Sequence, residues 1–580
     1  MIERTYIIII IIITNQATSF FENLYKLYNK KSQIFKSKIN RIVGGLMQKR
    51  IRIVSIGIIL IILLISVIIL NNNTNNKHTF KKDGILYALS LDGKKITSFP
   101  SKGLYKANVS CEGADGKWLY DDWELAIENI TGDISCDIKF ETITKTYLND
   151  YIIGLAGTTQ GTGQVVKETA NIPDYSRTVA ISESSYISQS VFSSTSVSST
   201  SGTAVSGAYT FANNTWTSVP SVMTSNKYYH FKFNPSENGY YQMCYDLSAG
   251  NTNNRLYAYV NTASKSFGTS SYLSASTSSA KNGCIELGYV TTSDYIKVTQ
   301  RAYTTISTLS FSIKKVNVIN SLSAGTRYEG KNPNNYVWFN NEYWRIIGVF
   351  DSSSHGQTSK NLVKIIRADV LDGLAWHKSN TNDWTAASLN KLLNGAYYNA
   401  QDGTDTGNCY GYSTTATANC DYGKKGIQSG YRNMVVNVTW YLGGYSSTGA
   451  TTEAFYEYER GTNVYSGRPT ETTGYIGLMY PSDYGYSVLS SSCARTTNLG
   501  SYDTTSCAGQ SWLYDSGYEW TLSHYSSNGS FVLYLSNCKL GYGEGYAYNG
   551  YSVRPVLYLD SSVYVIDGDG SLDKPYIIGM

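Results

Sequence analysis

Residues 524–551, HYSSNGSFVLYLSNCKLGYGEGYAYNGY, gather Tyr, Asn, Ser, Gly and His between two more regular segments, EWTLS and VRPVLYL. Tyr offers a rigid ring with a polar tip at low conformational cost, and Asn and Ser offer adaptable hydrogen bonds, which is the chemistry of non-covalent recognition. The candidate ligand-binding residues are therefore His524, Tyr525, Asn528, Tyr534, Asn537, Tyr542, Tyr546, Tyr548 and Asn549. Trp512 and Trp520 are expected to support that face from below. The competing reading is a Tyr/Gly-rich loop whose strand 530–536 lies in a core sheet.

Other reactive residue types yield no catalytic set. The five histidines, His78, His230, His355, His377 and His524, show no H-E-x-x-H or metal-like spacing, and no P-loop or dinucleotide fingerprint is present. We assign no catalytic residue, no metal ligand and no cofactor. The run DGDGSLD at 567–573 has part of a calcium loop's alternating carboxylates but lacks the downstream Glu, and reads as a turn in a closing hairpin. Arg554, beside Pro555, is expected to pair with a carboxylate and fix the last strands rather than to touch ligand.

Nine cysteines occur without any C-x-x-C. Pairing sequence neighbours gives Cys111–Cys136, Cys244–Cys284, Cys409–Cys420 and Cys493–Cys507, with Cys538 left over; buried thiols are the alternative. Disulfides suit an exported chain. Residues 53–70, IVSIGIILIILLISVIIL, are long and apolar enough to span a membrane, and Lys49, Arg50 and Arg52 precede them, which orients the remainder outward. No small-residue cleavage site follows, so the run is expected to remain as a single-pass anchor. Met47 makes a natural start for it, leaving 1–46 as a doubtful extension.

Of 580 residues only 16% are charged, while Tyr alone numbers 52. The formal charge of +5, from 48 basic and 43 acidic side chains, is small for this length, and nucleic acid is not an expected partner.

These features divide the chain into an extension (1–46), anchor and spacer (47–77), a small β stalk module (82–145), a Gly/Ser/Thr-rich linker region (146–227), a β-sandwich with jelly-roll-like strand rhythm (228–320) and an α+β domain (327–580). In the last, YVWFNNEYWRIIGVF predicts a hairpin turning at Asn-Asn. WTAASLNKLLNG predicts a helix ended by Gly395, residues 451–459 a second helix, and YPSDYGYSV a strand segment.

The ordered set WRIIGV, SLNKLLNG, YPSDYGY, SWLY with EWTLS, and VRPVLYL resembles exported surface-protein domains of gut Firmicutes related to the C-type-lectin and formylglycine-generating-enzyme fold. The resemblance covers 327–580 and implies a compact scaffold presenting an exposed C-terminal ligand face. Some relatives on that scaffold are targets of diversity-generating retroelements, which would make 524–551 a variable segment. Lys539 and Glu544 lie outside the codons such mutagenesis produces and would be scaffold positions. The expectation is a surface-anchored adhesion or ligand-binding protein whose extracellular ligand is a glycan or a protein. The alternatives are a wall- or glycan-acting enzyme carrying a carbohydrate-binding module, and a structural surface protein.

Overall fold

The computed structural model describes residues 85–580 except 121, 200, 220–222, 224–225, 268–269 and 515–516. The expected extension and anchor lie outside the described residues. Among those residues no helix is long and apolar enough to cross a membrane. The chain is β-rich and multi-sheeted, with short helices confined to connections.

Two compact units emerge. The first runs through Gly103 and includes Ala107–Glu141. Its four-stranded sheet is ordered Lys94–Ile96, Leu86–Leu91, Ser135–Thr142, Tyr105–Glu112, and the ribbon Asp115–Leu119/Glu124–Glu128 stands beside it as a separate pair. Trp118 and Phe140 pack edge to face at 4.9 Å, and the Cys111–Cys136 bridge ties two strands of the sheet. Staples of this kind compensate for a core too small to hold alone.

In the second unit the structure departs from the linear order expected of the sequence. Strand Gly163–Pro173 pairs antiparallel with Ile319–Gly330 along its whole length, from Gly163↔Gly330 to Pro173↔Ile319. Everything between, residues 174–318, is an excursion that leaves and returns through this one ribbon, which continues as Thr178↔Val316. The expected linker 146–227 is therefore not a linker. Thr146–Tyr147 and Gly163–Pro173 belong to the large C-terminal sheet, while Tyr186–Ser194, Tyr209–Ala212 and Thr215–Ser218 belong to the sandwich. The signal is hidden because outward strand positions such as Ser188, Ser190 and Ser194 are serines, and a Ser-rich run looks like spacer although its backbone pairs fully.

The inserted sandwich has a six-stranded and a seven-stranded sheet sharing one core, with Trp216, Phe231, Phe233, Met243, Leu256, Val298 and Phe311 buried between them. Cys244 and Cys284 stand directly opposite on adjacent strands and are bridged.

The remainder, which we call the head, carries an eleven-stranded sheet and a five-stranded one. The Asn-Asn hairpin forms as expected: Tyr336–Phe339 pairs with Glu342–Phe350, and Asn340 and Asn341 take φ of 58° and 59°, the primed turn that matches strand twist. Helix Thr452–Arg460 is capped by the Thr451 hydroxyl, which accepts from Ala454 N–H. Helix Ser388–Leu392 does not stop at Gly395 but continues as a π-helical turn through Tyr397. The expected strand YPSDYGYSV is instead helix Pro481–Ser487, with Pro at its start and the Asp483 carboxylate accepting from Tyr480 N–H.

That helix sets a charged core. Asp483 accepts from Arg327 Nη1 at 2.9 Å and Lys364 Nζ at 2.5 Å, all three side chains being buried. Gly348 lies opposite Arg327, where a Cβ would come within 2.5 Å of the Thr326 carbonyl oxygen and 3.1 Å of the Arg327 Cα and Cγ, so glycine permits the close approach of the two strands. Burial pushes the Asp483 carboxyl up, but Lys364 and Arg327 outweigh it and hold it at about 2. Nearby Glu459 accepts from Ser482 N–H at 2.8 Å and from its hydroxyl, and burial, opposed by Arg460, raises it to about 7.

Asp483→Asn would leave two buried cations without their counter-charge. We expect a loss of about 3–5 kcal/mol in unfolding free energy, read by urea denaturation; a loss under about 1 kcal/mol would mean the cluster behaves as a solvated surface pair.

Candidate functional site

The five-stranded sheet of the head, ordered Leu371–Ala375, Gly550–Val553, Glu519–His524, Val532–Ser536, Lys539–Gly541, carries the segment singled out in the sequence. Strand Glu519–His524 is buried throughout. Trp520 Nε1 donates to the Leu374 carbonyl at 2.9 Å and Thr521 Oγ1 to the Leu533 carbonyl at 2.7 Å, which locks the strand to both neighbours. Arg554 pairs bidentately with Glu519 at 2.7 and 2.8 Å, as the sequence suggested, and fixes the sheet's end.

Two loops leave this frame. The loop after His524 is held from within by Asn382, whose Nδ2 donates to the carbonyls of Tyr525, Asn528 and Phe531 at 3.3, 2.8 and 2.9 Å. Arg468 Nε in turn donates to Asn382 Oδ1 at 3.2 Å. The loop before Gly550 is pinned by main-chain bonds, Val532 N–H to Gly545 and Ala547 N–H to Ser530, and by the Tyr551 hydroxyl donating to the Glu544 carbonyl at 2.6 Å. Gly545 is required here, since a Cβ would sit 2.2 Å from the Val532 carbonyl oxygen.

The two loops bring five rings, and strand Tyr410–Tyr412 a sixth, into one continuous ridge. Tyr542 stacks on Tyr525 with centroids 4.4 Å apart and planes 3° apart; Tyr525 meets Phe531 at 6.3 Å, and Phe531 meets Tyr546 at 4.7 Å. Tyr546 stacks on Tyr548 at 5.4 Å, and Tyr548 meets Tyr412 edge-on at 5.3 Å. Tyr412, Tyr542 and Tyr546 are 49%, 38% and 37% exposed, high for such large rings.

Of the sequence-chosen residues, Tyr525, Tyr542, Tyr546 and Tyr548 form the ridge. Asn528 is exposed on its first loop, its side chain accepting from Ser530 N–H. Asn549 is engaged inward, donating to the Glu544 carbonyl at 2.6 Å. Three positions do not belong to the face. His524, only 4% exposed, ends a buried strand and accepts from Tyr465 N–H through Nε2 at 3.2 Å. Tyr534, 6% exposed, packs among Tyr518, Trp520 and Tyr551 on a strand that is covered on both sides from Val532 to Leu535. Asn537 is the left-handed turn residue, φ 46°, at the opposite end of the Val532–Ser536 strand from Phe531. Trp520 packs on Tyr534 and Tyr551 rather than on any ring of the ridge, and Trp512 packs on Arg345 and donates to the Tyr328 carbonyl. Tyr412 and Phe531 were missed. Tyr412 comes from the Cys409–Cys420 loop, and that bridge was its one available sequence signal.

All four expected disulfides form, and Cys538 is a buried free thiol. The run at 567–573 is the turn between paired strands Tyr564–Asp567 and Tyr576–Gly579. Among the described residues no three His, Cys, Asp or Glu side chains gather as metal ligands would. Concavities of the head elsewhere include one of about 540 Å³ lined by Lys331, Gln510, Trp512 and Tyr514.

No protein-family model matches the chain, and no curated protein matches it. Among solved structures, 34% of the chain is similar to 32% of the secreted serine protease VesC from Vibrio cholerae, at 8% identity and a TM-score of 0.15. A further 28% coverage is found with 30% of the Agl-KA catalytic domain, at 9% identity and a TM-score of 0.13. The chain thus spans about a third of each, and at these scores neither likeness bears on fold or activity.

Burial pulls the ring of His524 down to about 4, with Arg468 adding to it; His230 and His377 are likewise held at about 4, chiefly by burial. A folded value below the unfolded one means that the unfolded chain takes up protons first. Stability is complete above about pH 6.5 and falls as pH drops toward 4, by at most about 3 kcal/mol for each ring. His524→Gln keeps an acceptor for Tyr465 N–H but does not titrate. Its midpoint of thermal unfolding should fall less than the parent's between pH 7.5 and 5; equal falls would remove His524 from the titration.

Proposed function

We propose that this is an exported, N-terminally anchored cell-surface protein that binds an extracellular ligand through the aromatic ridge of its C-terminal head. The head would be a C-type-lectin-like scaffold and the inserted sandwich a jelly-roll-like module. The observation carrying this reading is the ridge itself: six contacting rings, three of them more than a third exposed, five on loops whose main chain is pinned from below and one on strand Tyr410–Tyr412. Clustered rigid aromatics with flanking amides are what recognition surfaces use as anchors. The buried charges Asp483, Lys364 and Arg327 are spent on one another.

Diversification fits the same geometry. The exposed ridge positions within 524–551 lie on loops, whereas the strand positions between them are buried and would tolerate little change. Sequencing the gene from several isolates, with its flanks, should find differences concentrated at 525, 528, 542, 546 and 548, with Trp520, His524 and Tyr534 constant and a near-identical repeat beside a reverse transcriptase. An invariant 524–551 in all isolates would end the diversification reading and leave a fixed binding surface.

The binding reading is tested by screening the protein on a glycan array and an extracellular protein library. Tyr412→Ala/Tyr542→Ala/Tyr546→Ala should weaken any hit at least tenfold with little change in thermal midpoint, because the removed rings are surface-exposed. Retention of every interaction by this variant would overturn it.

A further inference from the structure

The outer face of the seven-stranded sheet of the sandwich is cationic, and nothing in the fold accounts for it. No strand of this sheet contains Asp or Glu, yet its outward positions include Lys232, Arg255, Lys297 and Arg301. The small net charge of the chain conceals this, because residues 175–318 hold ten basic against five acidic side chains.

The register arranges the charges in rows. Tyr228, Arg301 and Arg255 lie directly opposite one another across three strands, and so do Lys232, Lys297 and Tyr259. Between the rows run His230, Thr299 and Tyr257, with His230 Nδ1 bonded to Thr299 Oγ1 at 2.9 Å. Two like-charged pairs, Arg301↔Arg255 and Lys232↔Lys297, are thus held face to face, an arrangement that destabilises a sheet. Among the described residues none of these four cations forms an ion pair. Arg255 Nε is buried without a hydrogen-bond partner, and burial pulls the Lys297 ammonium below its usual range with no carboxylate to oppose it. Protection of a sheet edge is not the explanation, since Lys227–Pro235 and Ile296–Ala302 are interior strands.

Each cation lies over a tyrosine ring: Arg255 over Tyr272 at 4.1 Å, Lys297 over Tyr259 at 4.5 Å, Lys232 over Tyr295 at 4.6 Å, and Arg301 over Tyr228 at 5.9 Å. These contacts orient the cations but leave their charge uncompensated. They also cover the ring faces that an unpaired nucleobase would need for stacking. Lys297, His230 and Thr299 are themselves buried, so what remains for a ligand is the half-buried Arg255 and Arg301 guanidiniums with Tyr228 in one row and Lys232 with Tyr259 in the other, about 13 Å apart along the strands. That spacing suits a polymer with repeated anions, and guanidinium pairs carboxylate in a bidentate fork.

We propose that this face binds a carboxylate-bearing polysaccharide, a polyuronate chain lying across the strands, at a site separate from the ridge of the head. The test is binding of the full chain to polygalacturonate and hyaluronate, with neutral dextran and an oligodeoxythymidylate as comparisons, over a salt titration. We expect binding to at least one polyuronate that weakens with salt, weakens at least tenfold in Arg255→Gln/Arg301→Gln, and is retained in Arg255→Lys/Arg301→Lys. The Gln variant should keep or raise its thermal midpoint, since it relieves a like-charge pair; should it not fold, Lys232→Gln reads the same loss. Tyr542→Ala/Tyr546→Ala should leave polyuronate binding unchanged, which separates this site from the proposed ligand face. The proposal is overturned if neither polyuronate binds at low salt, if the Gln variants bind undiminished, or if the oligonucleotide binds more tightly than both polyuronates.

Discussion

The buried contact of Asp483 with Arg327 and Lys364 is the constraint around which the head is organised. Its three members come from three elements distant in sequence: strand Ile319–Gly330, strand Leu362–Arg367 and helix Pro481–Ser487. An isolated buried charge is prohibitive and a buried pair is only just compensated, so these elements can come together in one register alone. Aromatic rings complete the enclosure, with Lys364 Nζ 4.5 Å from the Tyr480 ring and the Arg327 guanidinium 4.6 Å from Tyr486. Such a cluster adds little net stability compared with an apolar core, but it penalises every alternative packing of the helix.

The same helix region anchors the inserted sandwich. Arg495 reaches Glu168 on the outgoing strand of the ribbon and Glu329 on the returning one, while its Nη1 donates to the carbonyls of Gly485 and Val488 at 2.9 and 3.0 Å. One guanidinium thus ties both strands to the end of helix Pro481–Ser487. Asn171, further along the outgoing strand, donates to Glu453 at 3.1 Å and adds a second tie to helix Thr452–Arg460. An excursion from 174 to 318 therefore leaves the head undisturbed, because its two ends are fixed side by side before the sandwich begins.

This arrangement marks the boundary of what the sequence discloses. Local rules succeed where a few adjacent residues decide: Asn340-Asn341 makes the primed turn, Thr451 caps its helix, and neighbouring cysteines pair. They fail where a distant partner decides. Nothing near Gly163–Pro173 announces that its mate lies about 150 residues on, and the serines of Tyr186–Ser194 mask a paired strand as a spacer. Helix Pro481–Ser487 was legible in principle from Pro481 and Asp483, but the tyrosines of YPSDYGY favour a strand by propensity; burial of all seven residues, not propensity, settles it. In the candidate site, composition located the loops, whereas burial separates Tyr546 from Tyr534. A sequence gives the alternation of a strand but not which of its sides are covered.

The two surfaces argued for here differ in chemistry for structural reasons. The ridge lies mainly on loops, where ring positions can change without disturbing the buried strands beneath, so it suits a ligand whose identity varies. The cationic face is written into a regular sheet, where the pairs Arg301↔Arg255 and Lys232↔Lys297 are matched in register and carry a standing repulsion. Features that cost stability persist where something offsets them; here the tyrosine rings against the cations offset part of the repulsion, and with no sheet edge to protect, a bound anion is the proposed source of the remainder. A constant anionic polymer would supply it and hold the protein near a surface. The ridge would then meet its ligand without itself providing retention.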